Sequence, residues 1–306
     1  MIKYLGSKRQ LIPQILQAVA QSNPGAKHVV DLFSGTSRVG HALKKAGYRV
    51  SSNDHNQYAY WLAKCYVEAN LPEIASQAES WIERFNQLPG RPGYFTENFC
   101  LKSRFFHPKN GEKIDAIREL LATESLDPNL FAVLLVSLME AADRVDSTCG
   151  IQMSYLKAWA PRAHNDLKLR LPELTLSSAH GPSRAYCLDA QEAAQQLTGD
   201  VIYLDPPYNQ HSYRGNYHIW ETLALWDKPE SYGVAIKRVD CKTHRSAFNS
   251  KTQFIHAFAK LISALKAQTL IISFNNEGYI SKTEMESLLS QRGKVSIQTI
   301  DYKRYV

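Results

Sequence analysis

The hydrophobic and polar positions divide the chain into strand-length and helix-length segments. Two short, mainly apolar runs, His28 to Phe33 (HVVDLF) and Val201 to Leu204 (VIYL), end at Gly or Pro signals, which predicts strands buried on both faces. Helical spacing flanks the first of them. Leu11, Ile15, Leu16 and Val19 mark a helix over Gln10 to Gln21, and Val39 to Ala46 follows the first strand through a glycine-containing turn, as a strand–helix unit does. Tyr48 to Ser52 reads as a second strand ending at Asp54. Further strands are expected at Ala185 to Leu188 (AYCL), Thr269 to Phe274 (TLIISF) and Val295 to Tyr302, with a helix over Thr252 to Leu265.

Strands alternating with helices imply an α/β fold with a doubly wound, mostly parallel sheet. Between Asn70 and Arg184 the alternation stops, and helical periodicity with aromatic and basic residues takes over. The expected organisation is therefore one domain built from residues 1–69 and 185–306, interrupted by a mainly helical insert over residues 70–184.

Composition adds a direction to this outline. Among 306 residues, Lys and Arg outnumber Asp and Glu by 36 to 29, a formal charge of +7 that suits a partner dense in negative charge, such as nucleic acid. The five cysteines, Cys65, Cys100, Cys149, Cys187 and Cys241, show no paired spacing, so neither a metal site nor a disulfide framework is expected. They read as reduced thiols of a cytoplasmic protein. The start, MIKYLGSKRQ, lacks a signal peptide's apolar run, and the most apolar stretch, Leu130 to Met139, is too short for a bilayer, so no membrane partner is expected.

Two places carry chemistry. Asp31-Leu32-Phe33-Ser34-Gly35-Thr36-Ser37-Arg38-Val39-Gly40 puts small residues at the carboxyl end of the first strand, where the backbone turns sharply and can approach a ligand. It lacks the phosphate-binding patterns of dinucleotide and triphosphate sites, and a tight connection alone would also account for it. Asp54, after the second strand, can accept hydrogen bonds from the two hydroxyls of a ribose or can cap the next helix. The second place is Asp205-Pro206-Pro207-Tyr208, at the end of VIYL. Two prolines remove two backbone donors and stiffen the loop, which then presents acceptors without competing N–H groups. An exocyclic amino group, a poor nucleophile because its lone pair is delocalised into the ring, needs acceptors on both N–H bonds as it attacks a methyl group. Asp205 and the carbonyl of Pro206 can supply them, and Tyr208 can stack on the base. The bland alternative is a strand-ending turn.

With these residues in view, the chain resembles the adenine-N6 DNA methyltransferases of the Dam-like D12 class, in the order called alpha. An N-terminal segment like Lys3-Tyr4-Leu5-Gly6-Ser7-Lys8, the loop at Asp31, the acidic Asp54, an insert and DPPY occur here in the family's order. The resemblance implies a Rossmann-like methyltransferase sheet with a target-recognition insert, and S-adenosylmethionine as cofactor. It implies that Tyr4 and Lys8 help bind that cofactor, that Asp31, Phe33 and Gly35 form its loop, that Asp54 holds the ribose, and that Asp189 approaches the adenine ring. Asp205, Pro206, Pro207 and Tyr208 would be catalytic, with Asp205 also against the cofactor. Ser37 stands where a glycine is common in the family. Outside the pattern, Lys8 reads as a solvated charge and Tyr4 as a core aromatic.

Asn209 to Trp220 (NQHSYRGNYHIW) and Phe274 to Tyr279 (FNNEGY) narrow the resemblance to enzymes of restriction-modification systems, which implies a cognate endonuclease. Relatives continue into a closing hairpin where this sequence reaches Tyr305 and Val306. The implied partner is double-stranded DNA bound by a monomer, with the target base extruded. Phosphate contacts are expected from Lys102, Arg104, His107, Lys109 and Lys113 among Phe99, Phe105 and Phe106, and from Lys237, Arg238, Lys242, Arg245 and Lys251. Arg144, Gln152, Lys157, Arg162 and Asn165 have the chemistry to read bases, and His211, Tyr213 and Arg214 belong to a loop that can fold over the adenine. Three alternatives stand beside this reading: methylation of an RNA adenine, methylation of cytosine N4 in DNA, and an inactive nucleic-acid-binding module on the same fold.

Overall fold

The computed structural model describes residues 1–208, 210, 212–244, 246–275 and 278–300. Asn209, His211, Arg245, Asn276, Glu277 and 301–306, which include parts of the expected base-covering loop, basic cluster and last strand, lie outside them.

In chain order the elements are α1 Ile12–Ser22, β1 His28–Asp31, α2 Arg38–Lys45, β2 Arg49–Asn53 and α3 Gln57–Ala63, which runs on as a π-helical turn Lys64–Glu68. Then come α4 Leu71–Gln87, α5 Tyr94–Thr96, α6 Pro108–Thr123 and α7 Pro128–Val145. After these follow β3 Arg184–Tyr186, α8 Ala190–Gln196, β4 Val201–Leu204, α9 Tyr213–Asn216 and α10 His218–Leu225. A hairpin of β5 Ser231–Tyr232 and β6 Lys237–Arg238, then α11 Phe254–Ala264, β7 Thr269–Ile272 and α12 Lys282–Ser290, complete the chain.

Five strands form one sheet in the order β3-β2-β1-β4-β7, and every pairing in it is parallel. The side-chain period of two sorts its residues between two helical layers. Val30, Ile202 and Leu204 face α8 and α11, packing on Ala193, Phe258 and Leu261. Val29, Val201 and Tyr203 face the other way, onto Ile15 and Val19 of α1 and Leu43 of α2. The sheet is thus doubly wound, as the alternation of the sequence required.

The helical part behaves differently at its two ends. Its α-helices occupy residues 71–145, whereas 146–183 hold a 3-10 turn, Pro161–His164, and two isolated β-bridges. α4, α6 and α7 bury Ile82, Ile117 and Val133 in one cluster with Tyr58 and Leu62 of α3 and Ile219, Trp220 and Leu223 of α10. The insert therefore packs into the sheet domain through these two helices rather than standing off it.

The strand expected over Val295 to Tyr302 does not form over 295–300. Its alternating pattern finds no strand to pair with, and Ile297 stays 46% exposed. Among the described residues no helix is long and apolar enough to cross a membrane.

Ser37, flagged for replacing a glycine, takes the left-handed conformation at φ 58°, fully buried, and its hydroxyl has no hydrogen-bond partner among the described residues. A non-glycine residue in this region costs about 1 kcal/mol. Ser37→Gly is therefore expected to raise stability by about 1 kcal/mol and the midpoint of thermal unfolding by about 2 °C. Scanning calorimetry checks this; an unchanged or lower midpoint contradicts it.

Candidate active site

Because β1 pairs on both sides in parallel, the chain leaves β1, β2 and β4 at one edge of the sheet, at the point where strand order reverses. Register places Asp31 opposite Ser52 of β2 and Tyr203 of β4. The residues just beyond these positions line a single cleft, whose walls include Tyr4, Lys8, Asp31, Phe33, Gly35, Asp54, Asp189, Asp205 and Pro207. Pro206 and Tyr208 are not among its lining residues. Pro206 is buried, and Tyr208 sets its ring edge-on to Phe274, 5.4 Å away.

The turn after β1 is fastened from below. Gly35 has φ 50°, and a side chain there would meet the ring of Tyr4 at 3.3–3.5 Å, so the glycine allows both the turn and the contact. Its N–H donates to Asp54 Oδ2 at 3.0 Å, while Asp54 Oδ1 accepts from the backbone of Asn56 at 3.0 Å. Asp54 thus joins two cleft loops and is not the cap of α3, whose N-cap residue is Asn56. Asp189 does cap a helix: its carboxylate accepts from the N–H of Gln191 at 2.8 Å at the start of α8.

The N-terminal segment forms the opposite wall. Tyr4 stacks on Tyr213 and Tyr217 with ring centres 5.1 and 4.6 Å apart and planes within 14°. The Tyr217 hydroxyl accepts from the N–H of Leu5 at 2.6 Å, and the Tyr4 hydroxyl meets that of Tyr58 at 3.1 Å. Tyr4 is therefore both a packed aromatic and a cleft residue. Lys8 is no solvated charge: its Nζ lies 2.7 Å from Asp205 Oδ2, with the lysine side chain 13% exposed.

Of the cleft's four carboxylates, Asp31, Asp54 and Asp205 lie close enough for Asp31 to feel the other two. Burial, then the neighbouring Asp205, raises the Asp31 carboxyl to about 7, against a hydrogen bond from the N–H of Gly40 to Oδ2 at 3.0 Å. Burial also raises Asp205, and Lys8 opposes it both as a charge and as a donor. With Oδ2 held by Lys8, Asp205 Oδ1 is buried and has no hydrogen-bond partner among the described residues. Such an atom is an acceptor awaiting a donor.

Several contributors carried no sequence signal that was read. Asn53 donates to the carbonyls of Leu32 and Leu188 at 3.2 Å each and accepts from the N–H of Leu188 at 3.0 Å, stapling two cleft loops together. A polar residue ending a buried strand was the available clue. Ser246 and Phe248 also line the cleft, and Phe248 meets Phe33 edge-on at 5.2 Å.

The basic residues divide sharply. Phe99, Phe105 and Phe106 are core residues, not surface rings beside cations. Lys102 pairs with Glu97 and Lys109 with Asp166, while Lys113 bonds the carbonyls of Asn86 and Leu88. Arg238 is 3% exposed and held by Asp227 and Asp240, and Arg214 is held by Glu221 and Asp240. Gln152 is buried, accepting from the N–H of Ile219 at 2.8 Å, and Arg162 bonds Asp146 at 2.8 Å. Arg104, Lys157, Asn165 and Lys251 are exposed. Among the described residues no group of His, Cys, Asp and Glu could hold a metal ion.

A parallel sheet with a cleft at its switch point, a carboxylate bridging the first two loops and a proline-stiffened acidic loop after the fourth strand define an α/β fold with its site where such sheets bind ligands. The profile of the D12 class N6 adenine-specific DNA methyltransferases matches residues 4–287, and the chain belongs to that family. It is similar to the type II methyltransferase M.NlaIII of Neisseria lactamica, 32% identical, covering 99% of this chain and 92% of that protein. M.FokI of Planomicrobium okeanokoites is 33% identical over 99% of this chain and 50% of its own length. M.CviAII of Paramecium bursaria Chlorella virus 1 is 27% identical over 99% of this chain and 92% of its own. The chain thus spans nearly all of two of these relatives and half of the third.

Lys8→Met removes the cation that opposes the effect of burial on Asp205. Its carboxyl should then titrate at higher pH, so the acid side of the pH–rate profile for methyl transfer moves to higher pH. A profile unmoved relative to the parent would show that the pair does not govern Asp205.

Proposed function

We propose that the chain transfers a methyl group from S-adenosylmethionine to N6 of an adenine extruded from double-stranded DNA at a specific sequence. The observation that carries the reading is the buried Oδ1 of Asp205, without a hydrogen-bond partner among the described residues, in a cleft that Asp54 also lines.

The donor set suits the cofactor. Asp54 accepts from the backbone and the side-chain amide of Asn56 on Oδ1 and from Gly35 on Oδ2, which leaves Oδ2 a lone pair for a ribose hydroxyl. Gly35 brings bare backbone to the cleft, with Phe33 and Tyr4 as apolar walls and Asp189 at the edge where an adenine ring would lie. Asp31, with one buried oxygen unpartnered among the described residues, can face a cationic group. When bound, the cofactor supplies an electrophilic methyl on a sulfonium.

The chain's own residues prepare the nucleophile. Asp205 Oδ1 accepts one N6–H bond and the carbonyl of Pro206 the other, so positive charge growing on nitrogen meets fixed acceptors. Lys8 opposes the effect of burial on Asp205 and holds its Oδ2 in place. Tyr208, anchored by Phe274, stacks on the extruded base, a contact worth roughly 1–3 kcal/mol. Residues 70–184 serve as the target-recognition part, with Arg104, Lys157 and Asn165 as its exposed polar contacts. The enzyme acts as a monomer beside a cognate endonuclease of a restriction-modification system.

The test is transfer of labelled methyl from S-adenosylmethionine to unmethylated genomic DNA and to total RNA, followed by nucleoside analysis. Label is expected as N6-methyladenine in DNA. Asp205→Ala should lower the rate by about 100-fold or more while cofactor binding persists, since one preorganised acceptor of developing charge is lost. Label confined to RNA or to cytosine overturns the reading.

A further inference from the structure

Helix α3 begins directly after Asp54, His55 and Asn56, all of which line the cleft. Asn56 makes no side-chain cap, so the N–H groups of the first turn have no local acceptor. The acceptor comes from α10. Glu221 takes the N–H of Gln57 on Oε1 at 3.2 Å and that of Tyr58 on Oε2 at 3.0 Å, with 0% of its surface exposed.

A buried carboxylate needs a counter-charge, and Arg214 provides it at 3.0 Å from Nη1 to Oε1. The other end of the same guanidinium bonds Asp240 at 2.6 Å. Asp240 lies six residues before Ser246, which with Phe248 also lines the cleft. One arginine therefore ties the carboxylate that holds the start of α3 to Asp240.

We propose that Glu221, held by Arg214, is a positioning residue for the cofactor: it fixes the start of α3 and so the direction in which Asp54 presents its carboxylate to the ribose. It touches neither cofactor nor base. The inference rests on the reading of Asp54 as the ribose ligand.

Glu221→Gln keeps the size of the side chain but can accept only one of the two N–H bonds and no longer balances Arg214. The affected quantity is cofactor affinity. S-adenosylhomocysteine binding to the full chain, by calorimetry, is expected to weaken about tenfold, the loss of one charge-assisted hydrogen bond. In methyl transfer, KM for S-adenosylmethionine should rise while kcat at saturating cofactor is kept. Amide exchange at Gln57 and Tyr58 should speed up.

A double-mutant cycle with Asp54→Ala separates positioning from general weakening. If Glu221 acts through Asp54, Glu221→Gln costs little further affinity once Asp54 is gone. Independent, multiplying losses, or an unchanged KM in Glu221→Gln, overturn the proposal while leaving the cofactor site intact. Asp54→Ala binding as tightly as the parent would instead remove the ribose reading, and the proposal with it. Should Glu221→Gln not fold, Arg214→Lys carries the test, because lysine keeps the charge but cannot span Glu221 and Asp240. A raised KM with kcat retained is then expected, and an unchanged KM overturns the proposal.

Discussion

The pairing of β1 with a parallel neighbour on each side is the constraint from which the site follows. It brings three loops to one edge, and each carries a carboxylate: Asp31, Asp54 and Asp205. Gathering them away from water is costly, and the raised carboxyls of Asp31 and Asp205 register that cost. The surrounding structure offsets it with donors aimed inward, from Lys8 and from the N–H groups of Gly35, Gly40 and Asn56. Arrangement of the N-terminal segment, the glycine turn and the start of α3 can all be understood as solutions to this electrostatic problem.

The helical layer answers a different need. α3 and α10 pack into the cluster formed with α4, α6 and α7, and α3 starts directly after the cleft residues Asp54, His55 and Asn56. The helical layer and the cleft loops therefore share α3 as a support.

The sequence was most legible where local pattern and tertiary role coincide. β1 and β4 are apolar on both faces because helices cover both faces, and DPPY is stiff whatever surrounds it. Asp54 and Asp205 could be found because strand ends in such sheets are where ligands bind. Charges were harder to read. Arg214 and Arg238 look like any basic residue along the chain, yet each is held between carboxylates, and Glu221 appears only as an acid in a mainly apolar helix. Their partners lie up to 164 residues away in sequence, beyond the reach of periodicity. Val295 to Ile300 failed in the opposite sense, since alternation alone does not supply a strand to pair with.

The fastening of the first residues has a consequence for how the protein is made. The amino group of Met1 bonds Glu140, Lys3 bonds Asp143 and Asp146, and Tyr4 stacks on Tyr213 and Tyr217. Residues 1–8 are therefore made well before the later parts on which their cleft wall depends. At about 5–20 residues per second, synthesis from Tyr4 to Tyr217 takes roughly 10–40 s. Until then the loop after β1 and its glycine turn have no tyrosine stack to rest against, and a nascent chain has no finished pocket with which to modify the DNA around it.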